Sequence, residues 1–309
     1  MISQALPDTA ETLGLAAHHH FEDHGKMLRA GLAISTGKTL GVDPRATEAW
    51  AAAIELLHNA SLVHDDISDG DTMRRDRPSI WAAFGRDTAL ALGDWMIALS
   101  FEFAAKAAML SGEPRLVSVL ANRMKATTIG QAMEFELDDY PDWDRYCTIV
   151  AGKTAPLFVA PVEGIALLAG RDDLVSPVAA YFNAVGMAYQ ISNDILNMIG
   201  EDGAINPASD LLRRAPNAVI ICYQESLRNG SSIEFGRWLV SGDHKGAQDW
   251  HQRILGSAAL DTTIDRMKNM LASAESRAAD IPDSLSPVVM PIQHLLARIC
   301  AQSMEHAAE

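Results

Sequence analysis

Long apolar segments, separated by short polar stretches, make up most of this chain. Two of them, over residues 46–63 and 177–199, contain few polar groups and predict long helices. Each of the two ends in a cluster of acidic or amide side chains, so one pattern occurs twice. Further helices are predicted over residues 9–41, 88–110, 115–137, 217–227, 232–240, 245–255 and 259–279, and after Pro291.

Proline and polar residues indicate where the helices break. Asp43-Pro44 predicts a helix start, and Pro141 predicts a helix end. Residues 142–169 include Pro156 and Pro161 and predict a kinked or broken helix. Residues 71–84 and 202–216 predict loops.

The composition agrees with an all-helical fold. Apolar residues make up 48% of the 309 residues and aromatic residues only 6%. Ala, Leu and Met favour helices, whereas β-branched and aromatic residues favour strands. The chain is therefore predicted to be all-α. Its length allows one large domain or two, and a single domain over residues 1–309 is adopted as the prediction.

The formal net charge of −15 restricts the partners of the protein. Nucleic acids and anionic membrane surfaces need clustered positive charge, so neither is expected to bind. The N-terminus lacks the basic and apolar segments of a signal peptide, and no apolar run approaches the roughly 20 residues that span a bilayer. We therefore expect a cytoplasmic protein without stable membrane insertion.

Cysteine and histidine provide weak signals. The three cysteines, Cys147, Cys222 and Cys300, are far apart among apolar residues and are expected to be reduced core thiols. The run 18–20 consists of three histidines, which we interpret as a polar helix face or linker rather than a metal site.

The strongest chemical signal lies at the end of the first long helix. Asp65 and Asp69 are four residues apart, so in a helix both carboxylates lie on one face. Mg²⁺ prefers oxygen ligands and is often shared between carboxylates and substrate phosphates. Arg74 and Arg75 follow, and a guanidinium group binds phosphate oxygens with two parallel hydrogen bonds. Taken alone, such a cluster is more often a solvated helix end, because charged runs usually lie at the surface.

An ordered series of motifs over roughly residues 20–225 resembles the trans-isoprenyl diphosphate synthases, and an ordered series is more specific than a single motif. The motifs are Gly25-Lys26 with Arg29, His58 to Asp69 with Arg74-Arg75, Phe84-Gly85, Gly93-Asp94, Gly130-Gln131, Gly152-Lys153-Thr154, and Tyr189-Gln190 through Asn197. The resemblance implies a helical bundle around a deep apolar cavity, a homodimer, and three Mg²⁺ ions held by two acidic clusters. It also implies that an allylic diphosphate ionises and is attacked by isopentenyl diphosphate.

The resemblance also assigns roles to individual residues. It implies that metal ions are bound by Asp65, Asp66 and Asp69, and that the allylic diphosphate is bound by Arg74, Lys153 and Gln190. The diphosphate of isopentenyl diphosphate would be bound by Lys26, Arg29, His58 and Arg75. The reaction centre would be lined by Gln131 and Thr154.

The second acidic motif departs from the DDxxD pattern of the family, because it contains Asn193, Asp194 and Asn197. An amide oxygen can bind a cation but carries no charge to offset it, so metal affinity is expected to fall. Glu201 would extend the Asn193 and Asn197 stripe along a helix, which resembles the metal motif of class I terpene cyclases. The alternative is that Glu201 is an ordinary residue at a helix end.

A second departure lies further along the chain, where the family has a lysine that reaches the allylic diphosphate. Arg213 or Arg214 is the candidate replacement here.

Three functions are compatible with these residues. The first is a prenyltransferase that extends an allylic diphosphate with isopentenyl diphosphate, because Lys26, Arg29, His58 and Arg75 match the pocket for that second substrate. The alternatives are a class I terpene cyclase, which needs no second substrate, and a non-catalytic regulatory subunit. Ala60 is small where short-chain enzymes place an aromatic residue, so a product of about C20 is expected, with Ile97, Ala98 and Phe101 as the cavity floor.

Overall fold

The computed structural model describes residues 1–23, 25–135, 139–201, 207–228, 230–242 and 244–308. These residues form sixteen α-helices, two short 3-10 helices and one two-stranded hairpin, which confirms the all-α class. The helices are α1 (Ile2–Ala5), α2 (Thr12–Phe21), α3 (Leu28–Leu40), α4 (Pro44–Asp69), α5 (Ile80–Phe84), α6 (Arg86–Ser111), α7 (Arg115–Phe135), α8 (Trp143–Lys153), α9 (Pro156–Leu168), α10 (Val175–Ile199), α11 (Ser209–Arg213), α12 (Ala218–Ser226), α13 (Gly230–Ser241), α14 (Ala247–Leu255), α15 (Ala259–Ala278) and α16 (Ser286–Ala308). The 3-10 helices are Asp172–Leu174 and Asp283–Leu285.

The single helix predicted over residues 9–41 is wrong, because a turn divides it into α2 and α3. Gly25 and Met27 both have positive φ in this turn, at 57° and 42°. Neither residue is compatible with a continuous right-handed helix. Lys26 therefore lies exposed in the turn instead of sharing a helix face with Arg29.

The loop predicted over residues 71–84 contains regular structure. Strands β1 (Met73–Arg74) and β2 (Arg77–Pro78) pair antiparallel, and α5 follows. The two-residue connection is Arg75-Asp76, with φ of 52° and 60°. A tight hairpin needs positive φ at both positions of such a turn, and the sequence lacks the Asn-Gly signal that usually predicts one.

Most other boundaries agree with the sequence. Asp43 accepts a hydrogen bond from Arg45 N at 2.8 Å and caps α4, as predicted from Asp43-Pro44. The break predicted within residues 142–169 is confirmed between α8 and α9, at Thr154-Ala155. Pro156 then begins α9, where its missing N–H carries no cost.

The contacts divide the chain into two compact units. Unit 1 comprises residues 1–125, 157–179 and 281–288, and unit 2 comprises residues 126–156, 180–280 and 289–309. Each unit has its own apolar core: α4 and α6 pack together in unit 1, and α12 and α15 in unit 2. The single domain predicted for residues 1–309 stays a prediction.

One described helix, α6, is long and apolar enough to cross a membrane by length and composition. This is weak evidence, because core helices of globular proteins pass the same test. The helix contains Asp94, Glu102 and Lys106, and its Leu92 and Met96 are fully buried against the core of unit 1.

Some predicted features lie outside the described residues. They are the end of the helix predicted over residues 115–137, the first part of the loop predicted over residues 202–216, and the side chain of Cys300. Cys147 and Cys222 are free thiols, with Cys222 buried and Cys147 half-buried.

Candidate active site

Helix α4 presents the first acidic motif at its last turn. Trp50 anchors this helix in the core of unit 1, where its indole N–H donates to the carbonyls of Ala160 and Pro161 at 3.2 and 3.3 Å. Gly164 makes this contact possible, because any Cβ there would overlap the Trp50 ring. Gly70 ends the helix in the left-handed conformation directly after Asp69.

The three aspartates of this motif differ in their surroundings. Asp66 is 1% exposed, and Arg74 binds it with Nε at 2.7 Å and Nη2 at 2.6 Å from Oδ1. Burial raises the pKa of the Asp66 carboxyl, against the opposing effect of Arg74. Asp65 and Asp69 lie one turn apart on α4 and are half-buried. The structure thus uses Asp66 to fix Arg74, and leaves Asp65 and Asp69 as the pair that matches a cation.

Mg²⁺ fits this pair by its chemistry. The described residues contain no group of three or more His, Cys, Asp or Glu arranged to hold a metal by themselves. Mg²⁺ rarely needs such a cage, because it keeps waters and commonly binds through one or two carboxylates together with substrate phosphates. Asp65 and Asp69 therefore suit a metal that arrives with a diphosphate.

The hairpin holds the turn that carries Lys26. Arg75 Nη1 donates to the carbonyl of Asp23 at 2.5 Å, and Asp23 Oδ1 accepts from Gly25 N at 2.8 Å. A Cβ on Gly25 would lie 2.6 Å from Arg75 Cζ, so only glycine lets the guanidinium group pack there. Two predicted cationic residues of the second diphosphate pocket, Lys26 and Arg75, thus belong to one local structure.

Arg29 and His58 form the base of the same region. Arg29 Nη1 donates to His58 Nε2 at 3.0 Å, and its guanidinium group lies 4.7 Å from the Phe158 ring centroid. Burial and then the Arg29 charge hold the pKa of His58 well below 6.5. The imidazole is therefore neutral, and it accepts from Arg29.

Helix α2 is hydrogen-bonded both to the hairpin and to α4, and the sequence did not predict these contacts. His19 Nε2 donates to the carbonyl of Pro78 at 2.9 Å in the hairpin, and Arg77 Nη2 donates to His19 Nδ1 at 3.1 Å. His20 Nε2 donates to Asn59 Oδ1 at 2.9 Å on α4. The histidine run is therefore a pair of structural contacts, with His18 exposed.

Gly93 and Asp94 of α6 lie beside the motif. A Cβ on Gly93 would overlap the ring of His64, and Asp94 Oδ1 lies 3.9 Å from His64 Nε2. The glycine therefore lets α6 approach α4 closely, next to Asp65.

In unit 2, two glycines set the positions of the predicted reaction-centre residues. Any Cβ on Gly130 of α7 would overlap the backbone of Gly152 and Lys153 in α8. Such backbone-to-backbone packing places Gln131 and Lys153 next to the crossing point. Lys153 Nζ binds Glu134 Oε2 at 2.6 Å, a partner that the sequence did not identify.

Further polar groups surround this crossing. Thr154 Oγ1 donates to Gln190 Oε1 at 3.2 Å, and Gln190 Nε2 donates to Asp194 Oδ1 at 2.9 Å. The Nε2 atom of Gln131 is buried without a hydrogen-bond partner among the described residues. A buried donor of this kind is costly unless a ligand or water binds it.

Asp194 is fully enclosed by protein donors. Its Oδ2 accepts from the Tyr146 hydroxyl at 2.6 Å and from Ala218 N at 2.8 Å, in addition to the Gln190 bond to Oδ1. Burial, and then the charge of Asp210, raise the pKa of Asp194 to about 7. The structure therefore shows both Asp194 oxygens bonded to protein donors, and the metal role predicted for this residue stays a prediction.

The two amides of the motif have different surroundings. Asn197 is buried, where its Nδ2 donates to Ser209 Oγ at 2.7 Å and its Oδ1 accepts from Asp210 N at 3.2 Å. Asn193 is half-buried and has no side-chain hydrogen bond to any described residue. Asn193 is therefore the amide that is available to a ligand.

The helical stripe predicted to reach Glu201 is wrong. Helix α10 ends at Ile199, and Gly200 has φ of 82°. Glu201 N bonds the carbonyl of Leu196 at 2.8 Å, which is the hydrogen bond of a glycine-capped helix end. Glu201 is exposed beyond that cap, so its predicted metal role loses its geometric basis.

The two candidate arginines of the second departure both have partners. Arg213 Nη2 binds Asp210 Oδ1 at 2.9 Å. Arg214 lies 3.8 Å from the Trp238 ring centroid and donates to the carbonyls of Leu211 and Leu212. Arg214 thus stabilises the end of α11, and Arg213 is the better candidate for a replacement of the lysine.

Comparison with known proteins identifies relatives of the whole arrangement. A model of the polyprenyl synthetase family matches residues 10–234. The geranylgeranyl diphosphate synthase of Saccharolobus solfataricus is 32% identical over 228 residues, which are 71% of this chain and 68% of that protein. The (2E,6E)-farnesyl diphosphate synthase of Mycobacterium tuberculosis is 32% identical over 231 residues, 72% of this chain and 63% of that protein. The solved geranylgeranyl pyrophosphate synthetase of Geoglobus acetivorans superposes with a TM-score of 0.77 at 27% identity, covering 95% of this chain and 93% of that one.

Proposed function

Because this chain belongs to the polyprenyl synthetase family, we propose that it is a prenyltransferase that joins an allylic diphosphate to isopentenyl diphosphate. One observation supports the two-substrate reaction above all. Arg29, bonded to neutral His58, lies beside the turn that carries Lys26, and Arg75 packs onto that turn. These cationic residues match the pocket for the diphosphate of a second substrate, and a reaction of a single diphosphate would have no use for them.

The reaction would break the C–O bond of the allylic diphosphate, and the electron pair would leave with the diphosphate. The double bond of isopentenyl diphosphate would then attack the allylic cation, and loss of a proton would restore a double bond. Arginine and lysine side chains stabilise the charge that develops on the leaving group. Apolar walls exclude water, which would otherwise capture the cation.

The residues around the first acidic motif, and those around the crossing of α7 and α8, would each contribute to this chemistry. Asp66 holds Arg74 rigidly, so the guanidinium group would meet the allylic diphosphate without reorganising. By the resemblance to the family, Lys153 and Gln190 would also act on the allylic diphosphate, and Gln131 and Thr154 would line the reaction centre. Mg²⁺, when bound with the substrate, neutralises diphosphate charge, and we propose that Asp65, Asp69 and Asn193 hold up to three such ions.

The terpene cyclase alternative loses its support in the structure. It depended on a helical stripe of Asn193, Asn197 and Glu201, and Glu201 lies beyond the end of α10. A regulatory subunit is also disfavoured, because it would not need the paired Asp66 and Arg74 at the end of α4.

We propose a product of about C20 because Ala60 is small where an aromatic residue would shorten the cavity. The relatives include farnesyl, geranylgeranyl and nonaprenyl diphosphate synthases, so they support chain elongation and no particular length. Ala60 is buried on α4, and Ile97 and Phe101 pack against the same core. Ala98, the third predicted floor residue, is exposed.

We also propose a homodimer, for which sedimentation should give twice the mass of one chain. A cytoplasmic location stays a prediction.

Product analysis tests the proposed reaction. The purified protein is incubated with Mg²⁺ and dimethylallyl, geranyl or farnesyl diphosphate, with and without isopentenyl diphosphate, and products are analysed before and after phosphatase treatment. We expect alcohols of about C20 only after phosphatase and only with isopentenyl diphosphate present. Hydrocarbon from an allylic diphosphate alone would instead establish a cyclase.

Two substitutions sharpen this test. Asp65→Asn should lower kcat by about 100-fold or more, since it removes charge from the carboxylate pair. The exposed carboxylate Asp87, on α6 in the same unit, provides the matched control Asp87→Asn, which should leave kcat unchanged.

A further inference from the structure

The N-terminus of α3 lacks a cap from its own sequence. The residue before it, Met27, is left-handed with φ of 42° and provides no side-chain hydrogen bond. The first backbone N–H groups of a helix have no partner within the helix and need one elsewhere. Here Ala30 N donates to Glu55 Oε2 at 3.0 Å, so a carboxylate from α4 caps α3.

Glu55 is itself fixed by a chain of buried polar groups. It is 4% exposed, and Asn59, one turn later on α4, is 3% exposed. Asn59 Nδ2 donates to the Glu55 backbone carbonyl at 2.7 Å and to its carboxylate Oε1 at 3.5 Å, and Asn59 Oδ1 accepts from His20 of α2. A buried carboxylate is tolerated only with such partners. The chain of hydrogen bonds therefore joins α2, α4 and α3 at one level.

This chain surrounds the residues that the second diphosphate would need. Arg29 directly precedes Ala30, the residue whose N–H Glu55 accepts. His58, which accepts from Arg29, lies between Glu55 and Asn59 on the same turn of α4. Fixing the start of α3 on Glu55 therefore sets the register between Arg29 and His58, and it also sets where the turn with Lys26 begins.

We propose that Glu55 and Asn59 are positioning residues for the isopentenyl diphosphate pocket. They touch no substrate atom; they hold Arg29 and the Lys26 turn where the second diphosphate binds. This inference rests on the proposed function. The hydrogen bonds of Glu55 and Asn59 to described residues of other helices end on Ala30 and His20, and none of them joins Asp65, Asp69 or Arg74. The affinity for the allylic diphosphate should therefore change little when either residue is replaced.

The test separates the two substrates. Glu55→Ala should raise the KM for isopentenyl diphosphate by roughly tenfold, with the KM for the allylic diphosphate within about twofold. Glu55→Gln keeps an oxygen that can accept from Ala30 N and should restore most of the affinity. Glu48, an exposed glutamate two turns earlier on α4, provides the control Glu48→Ala, which should change neither KM.

A second, milder variant and a binding measurement test the proposal even if Glu55→Ala does not fold. Asn59→Ala releases Glu55 without removing the cap, and it should raise the same KM by a few-fold even if Glu55→Ala does not fold. An equal rise of both KM values, or a lower melting temperature with unchanged KM values, would overturn the inference. Calorimetric titration with isopentenyl diphosphate distinguishes the two proposals: if wild type binds it but never turns it over, the proposed function fails, while weaker binding by Asn59→Ala still supports the positioning role.

Discussion

Arg74 and Arg75 are neighbours in the sequence but have different backbone conformations. Arg74 lies in a strand and binds buried Asp66, whereas Arg75 has positive φ and packs on Gly25. A non-glycine residue in the left-handed region costs about 1 kcal/mol or more, and such strain persists where the surroundings fix it. The contact of Arg75 with the Asp23 carbonyl provides that fixation.

Asp76, the second residue of the hairpin turn, also has positive φ and has no functional assignment. Asp76→Gly should raise the free energy of unfolding by about 1 kcal/mol, because glycine adopts φ of 60° without steric cost. Thermal or urea unfolding measures the change. Thr72→Gly, at an exposed position of the same segment with no positive φ, should lower stability instead. A loss of stability in Asp76→Gly would show that the side chain, and not the backbone, matters at this turn.

His20 makes stability depend on pH. Burial, opposed by its bond to Asn59, lowers the pKa of His20 to about 4, against 6.5 in the unfolded chain. The unfolded state therefore binds more protons between these values, and stability falls as the pH decreases through this window. Acidification from pH 7 to pH 5 should cost up to about 2 kcal/mol from His20.

Urea unfolding of His20→Gln at both pH values checks this expectation. The variant should lose less stability on acidification than wild type, and the remaining loss would come from His58, whose pKa is lowered in the same direction. An unchanged difference between pH 7 and pH 5 would remove His20 as its source.

At the scale of helices, close packing depends on glycines, which have no side chain to hold the helices apart. Gly130 and Gly152 let α7 and α8 touch through their backbones, and Gly93 and Gly164 accommodate His64 and Trp50. The sequence contains these glycines in motifs, but it does not reveal which helix each one meets.

Gly130→Ala should separate α7 from α8. The added methyl group would overlap the backbone of Lys153, which cannot yield as a flexible side chain would, so a loss of about 2 kcal/mol or more is expected. The kcat should fall as well, because Gln131 and Lys153 move apart. Gly236→Ala in α13 is the matched control, since a Cβ there meets nothing within 4 Å and alanine favours helices. Equal stability of the two variants would contradict this reading of the crossing.

Asn193 and Asn197 should separate in their effects. Asn197→Ala removes the bonds to Ser209 and Asp210 at the start of α11, at a cost of about 1–3 kcal/mol. Asn193→Ala removes no described hydrogen bond, so stability should hold while the Mg²⁺ concentration for half-maximal activity rises. Unfolding curves and Mg²⁺ titrations of both variants test this crossed pattern. The reverse pattern would return the metal role to Asn197.

At the scale of the whole molecule, the negative charge controls how the protein binds anionic ligands. The net charge on 309 residues is −15, so an acidic cluster that binds a diphosphate needs cations to neutralise the charge of both. Asp65 and Asp69 meet that demand only together with a phosphate ligand, because two carboxylates leave most of the coordination shell of Mg²⁺ unfilled.

Mg²⁺ and inorganic diphosphate should therefore stabilise the protein jointly. At ligand concentrations about 100 times the dissociation constant, the gain is about 2.7 kcal/mol, which raises the melting temperature by several degrees. Either ligand alone should give a smaller shift, and Asp65→Asn should abolish the joint effect whereas Asp87→Asn should not. The same shift with diphosphate in the presence of a metal chelator would contradict this dependence.

Local sequence determined much of this protein. Helical composition, the helix start at Asp43-Pro44 and the spacing of Asp65 and Asp69 depend on neighbours within one turn, and all appear in the structure as expected. The ordered motifs also identified the family, since residues of one reaction keep their order along the chain.

Tertiary structure decided which predicted residues have partners. Positions 193 and 197 both carry asparagine, yet only Asn197 bonds Ser209, twelve residues away at the start of α11. Glu55 and Asn59 were visible as polar residues in an apolar helix, but their link to Ala30 and His20 requires contacts between segments 25 and 39 residues apart. Spacing along a chain fixes the face on which a side chain lies, and only packing fixes what that face meets.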